Sequence, residues 1–295
     1  MKKRTFILSF LICLVVFIFL GFVAVGIYLV LKEEKPGFVS SVKKVGLVKI
    51  EGVILDSKEI IEHLHQLRDN EAVPAILLRI DSPGGGVGPS QEIYKEILKL
   101  REKKKIVVSM GSLAASGGYY IASAADWIIA NPGTLTGSIG VILQGMNMEE
   151  LFKKIGVKTM VVKSGKYKDI FSPDREMTED EKKLLQAMID EVYEQFLDAI
   201  VQGRRNINKE TLRSIADGRV FTGSQAKEYG LVDELGNFQD ALEKAAQLGN
   251  IEGKPEVIEP KKKRLSILEQ LVEGITHLSS QMAEGRSFKL MYLLQ

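Results

Sequence analysis

Residues 75–86 read A-I-L-L-R-I-D-S-P-G-G-G. Ala75 to Ile80 form a short apolar run interrupted only by Arg79, and Asp81-Ser82-Pro83 closes it with turn-forming residues, so the run predicts a strand. The glycines behind it carry no Cβ, and backbone N–H groups there stay open to close approach. Such donors can hold a phosphate or the oxyanion of an acyl-transfer intermediate. A phosphate cradle calls for a Lys-Ser/Thr pair or a G-x-G-x-x-G spacing, and neither is present. The oxyanion reading is therefore the better one, with a plain tight turn as its bland competitor.

Working outward, strands and helices alternate. Val45 to Leu55 predicts a strand and Lys58 to Arg68 a helix. Pro89 to Lys103 carries Ile93, Ile97, Leu98 and Leu100 near helical spacing, and Ile106–Met110, Trp127–Ala130 and Thr159–Val162 read as strands. Short strands interleaved with helices of 10–15 residues imply βαβ units, an α/β class and a largely parallel sheet. Beyond Thr178 the pattern turns helical. Thr178 with Glu181 has the form of a capping box, and Leu184, Leu185, Met188, Ile189, Val192, Phe196, Leu197 and Ile200 make an apolar stripe. Further helices are expected over 209–216, 222–229 and 238–248. The domain proper covers about residues 45–258, a size that suits one α/β unit.

The N-terminus carries a different signal. Lys2, Lys3 and Arg4 precede Phe6–Leu31, 26 residues without a charge. At 1.5 Å per residue that is about 39 Å of helix, enough to cross a hydrocarbon core of about 30 Å with some tilt. A cleaved signal peptide would need an apolar region of only about 7–15 residues, and the weak processing triplet Ala24-Val25-Gly26 lies inside the run. Residues 1–31 are expected to be a cytoplasmic N-terminus and membrane anchor, with 32–44 a polar linker. The positive-inside rule leaves everything beyond about residue 35 outside the cytoplasm.

The single cysteine, Cys13, excludes an intrachain disulfide and any Cys-based metal site. A net charge of +2 made of dispersed lysines and acids gives no footprint for a nucleic acid. The tail, 259–295, opens with Lys261-Lys262-Lys263-Arg264 and closes with Leu290-Met291-Tyr292-Leu293-Leu294. It could lie on anionic lipid, pack as a helix at a subunit interface, or send its apolar end into a neighbouring active site.

Residues 111–120, G-S-L-A-A-S-G-G-Y-Y, follow one predicted strand and open a predicted helix. Ser116 precedes Gly117-Gly118, which permit access, whereas Ser112 is expected among core-facing residues. The bland reading of Ser116 is a helix N-cap. A nucleophilic serine needs a base, and His63, His65 and His277 are all better read as surface residues. A lysine can serve if burial and hydrogen bonding bring its pKa of about 10.4 down to about 7–8. Lys163, Lys166 and Lys168 follow the predicted strand 159–162, and the pattern does not choose among them.

Five motifs occur in order: S-P-G-G-G (82–86), M-G-S-L-A-A-S-G-G-Y-Y-I-A (110–122), T-G-S-I-G-V (136–141), G-K-Y-K-D-I-F-S-P (165–173) and G-R-V-F-T-G-S-Q-A-K-E-Y-G-L-V-D-E-L-G (218–236). Together they resemble the membrane-anchored signal peptide peptidases of the SppA type, in the short single-domain form. The resemblance implies a serine–lysine protease with a Clp protease/crotonase-like fold of repeated ββα units. It implies Ser116 as nucleophile, Lys168 as general base and Ser138 as the residue that orients the lysine. Oxyanion donors would be the N–H groups of Gly117 and of the glycine run, Gly85 or Gly84. No metal or cofactor is called for. The substrates implied are cleaved signal peptides and other apolar unfolded peptides, met by ring-like or dome-like homo-oligomers at the outer face of the cytoplasmic membrane. Asp169 beside Lys168 is awkward, because a carboxylate could keep the amine charged. Competing readings are a same-clan membrane protease with other substrates, a crotonase-type acyl-CoA enzyme, and an inactive membrane-tethered scaffold.

Overall fold

In the computed structural model, which describes residues 43–204, 207–260 and 291–294 together with Gly21, the opening stretch lies at the centre of a sheet. β1 (Val45–Glu51) and β2 (Ala75–Ser82) pair in parallel from Val45/Ala75 to Glu51/Asp81, with α1 (Lys58–Arg68) as the crossover. There follow β3 (Gly84–Gly86), α2 (Val87–Arg101), β4 (Lys105–Ala115), α3 (Gly117–Ser123), β5 (Trp127–Ala130) and β6 (Leu135–Gly137). α4 (Glu149–Ile155) precedes the long α5 (Glu179–Gly203) and α6 (Lys209–Ile215). The chain then forms β7 (Val220–Thr222), α7 (Gly223–Glu228), β8 (Glu234–Leu235), α8 (Phe238–Leu248), β9 (Val257–Ile258) and β10 (Met291–Leu293).

The main sheet has the order β7-β6-β4-β2-β1-β9, with β5 lying between β4 and β8. Every pairing in it is parallel except β6 with β7. A sheet of this kind is buried on both faces, so its strands read as continuous apolar runs. β2 shows this directly. Ile76, Leu78 and Ile80 enter one core with Leu64, Leu67, Ile93 and Ile97, while Ala75 and Leu77 enter the other with Ala241, Leu242, Ala245 and Ala246 of α8. At an area-based rate of about 25 cal/mol per Å², each buried leucine or isoleucine among them contributes roughly 1.5–3 kcal/mol.

Several expectations need correction. β1 stops at Glu51, because Gly52 turns the chain with φ +69. β4 runs five residues past Met110, to Ala115, through a Gly-Ser-Leu-Ala-Ala stretch that local propensity disfavours as strand. It extends because β4 changes partner. Val107–Ser109 pair with β5, and Leu113–Ala115 pair with β6. Thr159–Val162 forms no strand; Met160 and Val162 are 95% and 102% exposed. The Thr178–Glu181 capping box is present, but of the α5 stripe Leu184 and Met188 stay exposed while Leu185, Phe196, Leu197 and Ile200 are buried.

Apart from Gly21, the anchor expected at Phe6–Leu31 falls outside the described residues, as does the basic cluster Lys261–Arg264. Among the described residues no helix is long and apolar enough to cross a membrane.

Candidate active site

Ser116 stands between β4 and α3 with φ +52 and ψ −116, a conformation that costs a non-glycine residue about 1–3 kcal/mol and persists only where surroundings enforce it. The enforcement is visible. Ser116 N–H donates to Gly137 O at 2.8 Å, and Ser116 O accepts from Tyr120 N at 2.8 Å. The side chain makes no capping bond to α3, so the N-cap reading fails. Ser112, by contrast, lies exposed in the irregular part of β4 and not among core-facing residues. The sequence expectation for Ser112 is corrected by the bulge that turns it outward.

The β4–β6 register sets Ala115 against Gly137, which brings Ser116 beside Ser138. Ser138 is buried, has φ +47 and is pinned by its N–H to Arg219 O at 2.8 Å. Two adjoining serines thus share one corner, both held in backbone conformations that L-residues rarely adopt.

The glycine strand faces the same corner. Gly84 has φ +100, and a Cβ there would meet Gly117 N at 2.6 Å and Tyr292 O at 2.1 Å. A Cβ on Gly117 would lie 3.1 Å from Gly85 N. The N–H groups of Gly85 and Gly117 therefore border one small space that only glycines leave open. Gly84 N–H itself donates to Ser82 Oγ at 3.1 Å, and Gly86 N–H to Ile54 O at 2.8 Å. Their commitment leaves Gly85 as the donor of the run that faces the corner.

The tail strand β10 lies in this space. Met291, Tyr292 and Leu293 pair antiparallel with Gly86, Gly85 and Gly84, and Leu294 N–H donates to Pro83 O at 2.9 Å. On its other edge Met291 exchanges two backbone hydrogen bonds with Ile142, at 3.1 and 3.2 Å. Tyr292 is fully buried, stacked on Tyr120 at 5.1 Å and against Phe196 at 4.7 Å, with its hydroxyl donating to Val192 O at 3.3 Å. Burial pushes the Tyr120 phenol up to about 12 and raises that of Tyr292 as well, so both are neutral donors. An extended segment held between two backbone edges, with a side chain in an aromatic pocket, is how a cleft takes a peptide.

Of the three lysines the sequence left open, Lys163 donates to Asp169 at 2.5 Å and Lys166 to Asp180 at 2.6 Å. Lys168 is exposed, and among the described residues no carboxylate pairs with it and no hydrogen bond joins it to Ser116. The awkward Asp169 is accounted for: Arg175 and Lys163 bind its carboxylate and hold its pKa well below the usual range. Arg175 also grips the buried Glu181, so the segment bearing Lys168 is tied to the start of α5. Sequence reading missed Arg175, which has no motif of its own. His65 pairs with Glu96 on α2, and His63 lies near Glu59.

Comparison with known proteins gives the chain a family. The model of peptidase family S49 matches residues 99–252, and that of Clp protease matches residues 43–133. A Synechocystis sp. protein is 45% identical over 252 residues, 84% of this chain and 88% of its own length. Protease 4 of Haemophilus influenzae is 38% identical over 219 residues, and the chloroplastic serine protease SPPA of Arabidopsis thaliana 35% over 216. These alignments cover 70% and 73% of this chain but only 35% and 32% of those two longer proteins. The α/β fold with its mixed sheet is consistent with a Clp protease-like domain, and the S49 match spans β4 to α8. The chain belongs to peptidase family S49 and is a serine peptidase.

Proposed function

We propose that this peptidase attacks peptide carbonyls with Ser116, using Lys168 as general base and Ser138 to orient the lysine amine. Neutral Lys168 takes the hydroxyl proton as Oγ adds to the carbonyl carbon. The oxyanion is held by the N–H groups of Gly117 and Gly85, the amine leaves with the lysine's proton, and water hydrolyses the acyl-enzyme. The observation that carries this reading is the uncapped, positive-φ Ser116 whose neighbours are a second serine, the Gly117 N–H and the glycine strand on which β10 is seated. Lys168 must come within about 3 Å of Oγ in the working enzyme, a contact that free enzymes often tighten only with substrate.

The substrate class is extended apolar peptide, remnant signal peptides among them. β10 supports this, because it is itself an apolar strand seated on the glycine strand. We place the enzyme at the outer face of the cytoplasmic membrane, held by the apolar run 6–31, and in a ring-like homo-oligomer. Met160 and Val162, almost fully exposed here, are side chains that assembly would cover.

The test is hydrolysis of a fluorogenic apolar peptide by the full chain. Ser116→Ala and Lys168→Ala should each lower kcat by at least about 10³-fold. Wild-type turnover in Ser116→Ala refutes the nucleophile. Loss in Lys166→Ala with retention in Lys168→Ala reassigns the base.

A further inference from the structure

The bulge in β4 is built by side chains from the neighbouring strands. Ile80 pairs with Met110 and Ser82 with Ala114, so β4 carries two residues more than β2 across this step. An insertion of this kind takes backbone groups out of the ladder, and they need partners elsewhere. Each finds one. Arg79 donates to Met110 O at 3.1 Å, and Thr134 Oγ1 donates to Gly111 O at 2.7 Å. The Asp81 carboxylate accepts from Ser112 N at 3.3 Å and from Leu113 N at 3.1 Å. Arg79 and Asp81, two apart on β2, lie on one face of the strand and clasp β4 on both sides of Gly111. Gly111 fits this clasp, because a Cβ there would stand 2.5 Å from Asp81 Oδ2.

The bulge is also where β4 leaves β5 and joins β6, three residues before Ser116. The register it sets is the one that delivers Ser116 N–H to Gly137 O and places Ser116 beside Ser138. Without the two extra residues, every position after Met110 would slip by two along β6, which keeps the face of each side chain but carries Ser116 two positions away from Gly137 and Ser138. We propose that Asp81 is a positioning residue for Ser116, holding the β4 bulge whose register presents the serine to the cleft. This rests on Ser116 being the nucleophile, as proposed above.

The same residue reaches the oxyanion side too, through its backbone carbonyl. Asp81 O accepts from Gly52 N at 3.0 Å, Gly52 O accepts from Ser82 Oγ at 2.6 Å, and Ser82 Oγ accepts from Gly84 N. Asp81 thus links the nucleophile turn and the glycine strand through backbone it shares with both. Displacing a nucleophile by about 1 Å can cost about 100-fold in rate with little effect on binding, so the effect should fall on kcat.

In the full chain, Asp81→Ala and the isosteric Asp81→Asn should lower kcat about 10–100-fold against a fluorogenic apolar peptide, with KM within about twofold. Gly111→Ala keeps the carboxylate but pushes it aside, and should give a similar loss. The Asp81→Ala/Gly111→Ala pair should be no worse than the poorer single variant, because both act on one contact. The apparent pKa of the pH–rate profile should stay at the wild-type value, since the base is untouched. The proposal is overturned if kcat of the folded Asp81 variants stays within about twofold of wild type. Losses that multiply in the double variant, or a shifted pH profile, overturn it as well. Where an Asp81 variant does not fold, Gly111→Ala decides by the same kcat and KM criteria. Full activity in Ser116→Ala would instead remove the reading on which it rests, and that result is read separately.

Discussion

Gly84 shows how much of the site hangs on single atoms. Its φ of +100 is open only to glycine, and a methyl group there would collide with the Tyr292 carbonyl and the Gly117 N–H. Gly84→Ala should therefore reduce kcat/KM by at least about 100-fold and lower Tm, measured by peptide hydrolysis and thermal unfolding. A variant that unfolds normally yet keeps wild-type kcat/KM would show that the space beside Gly117 is not used. Ser116 makes the complementary point. The run A-A-S-G-G announces a small-residue turn, but the positive φ of Ser116 is held by the bond to Gly137, 21 residues away, and no local pattern encodes that.

At the scale of elements, the strands read correctly where burial on both faces produced unbroken apolar runs, as in A-I-L-L of β2. They read wrongly where pairing, not propensity, makes the strand: β4 beyond Met110 exists because β6 is there to receive it. Thr159–Val162 is the converse, an apolar run with no partner. The segment that follows is held by charge. Arg175 binds Asp169 and Glu181, with Nη2 at 2.6 Å from Glu181 Oε1, and lowers the Glu181 pKa to about 2, helped by the Thr178 N–H. A carboxyl depressed in the folded state stabilises above its unfolded pKa of about 4.3, and that contribution fades as pH falls toward 2. Arg175→Ala should speed amide hydrogen exchange over residues 163–181 at pH 7. The difference from wild type should shrink as the pH drops from about 4.3 toward 2. A gap that persists unchanged at pH 2.5 would mean that packing, not the ion pair, holds the segment.

For the whole molecule, the five motifs lie on β3, the β4–α3 turn, β6, the segment after α4, and the β7–β8 region, and the fold gathers all but the Lys168 segment around one corner. That much was legible because each motif is short and local. The seat taken by Met291–Leu293 was not, since nothing in L-M-Y-L-L specifies Gly84–Gly86 as its partner. The seat also sets a kinetic rule. A tethered strand competes with substrate as a unimolecular equilibrium, so only the fraction of enzyme with its cleft vacated can bind peptide, and the apparent KM is the intrinsic one divided by that fraction. Removal of residues 291–295 should lower KM while leaving kcat nearly unchanged, as read from initial rates on the apolar peptide. Unaltered KM in the shortened chain would show that the tail yields without cost. Dilution of the intact enzyme should leave KM where it is, because a competitor carried on the same chain keeps its local concentration however few molecules remain.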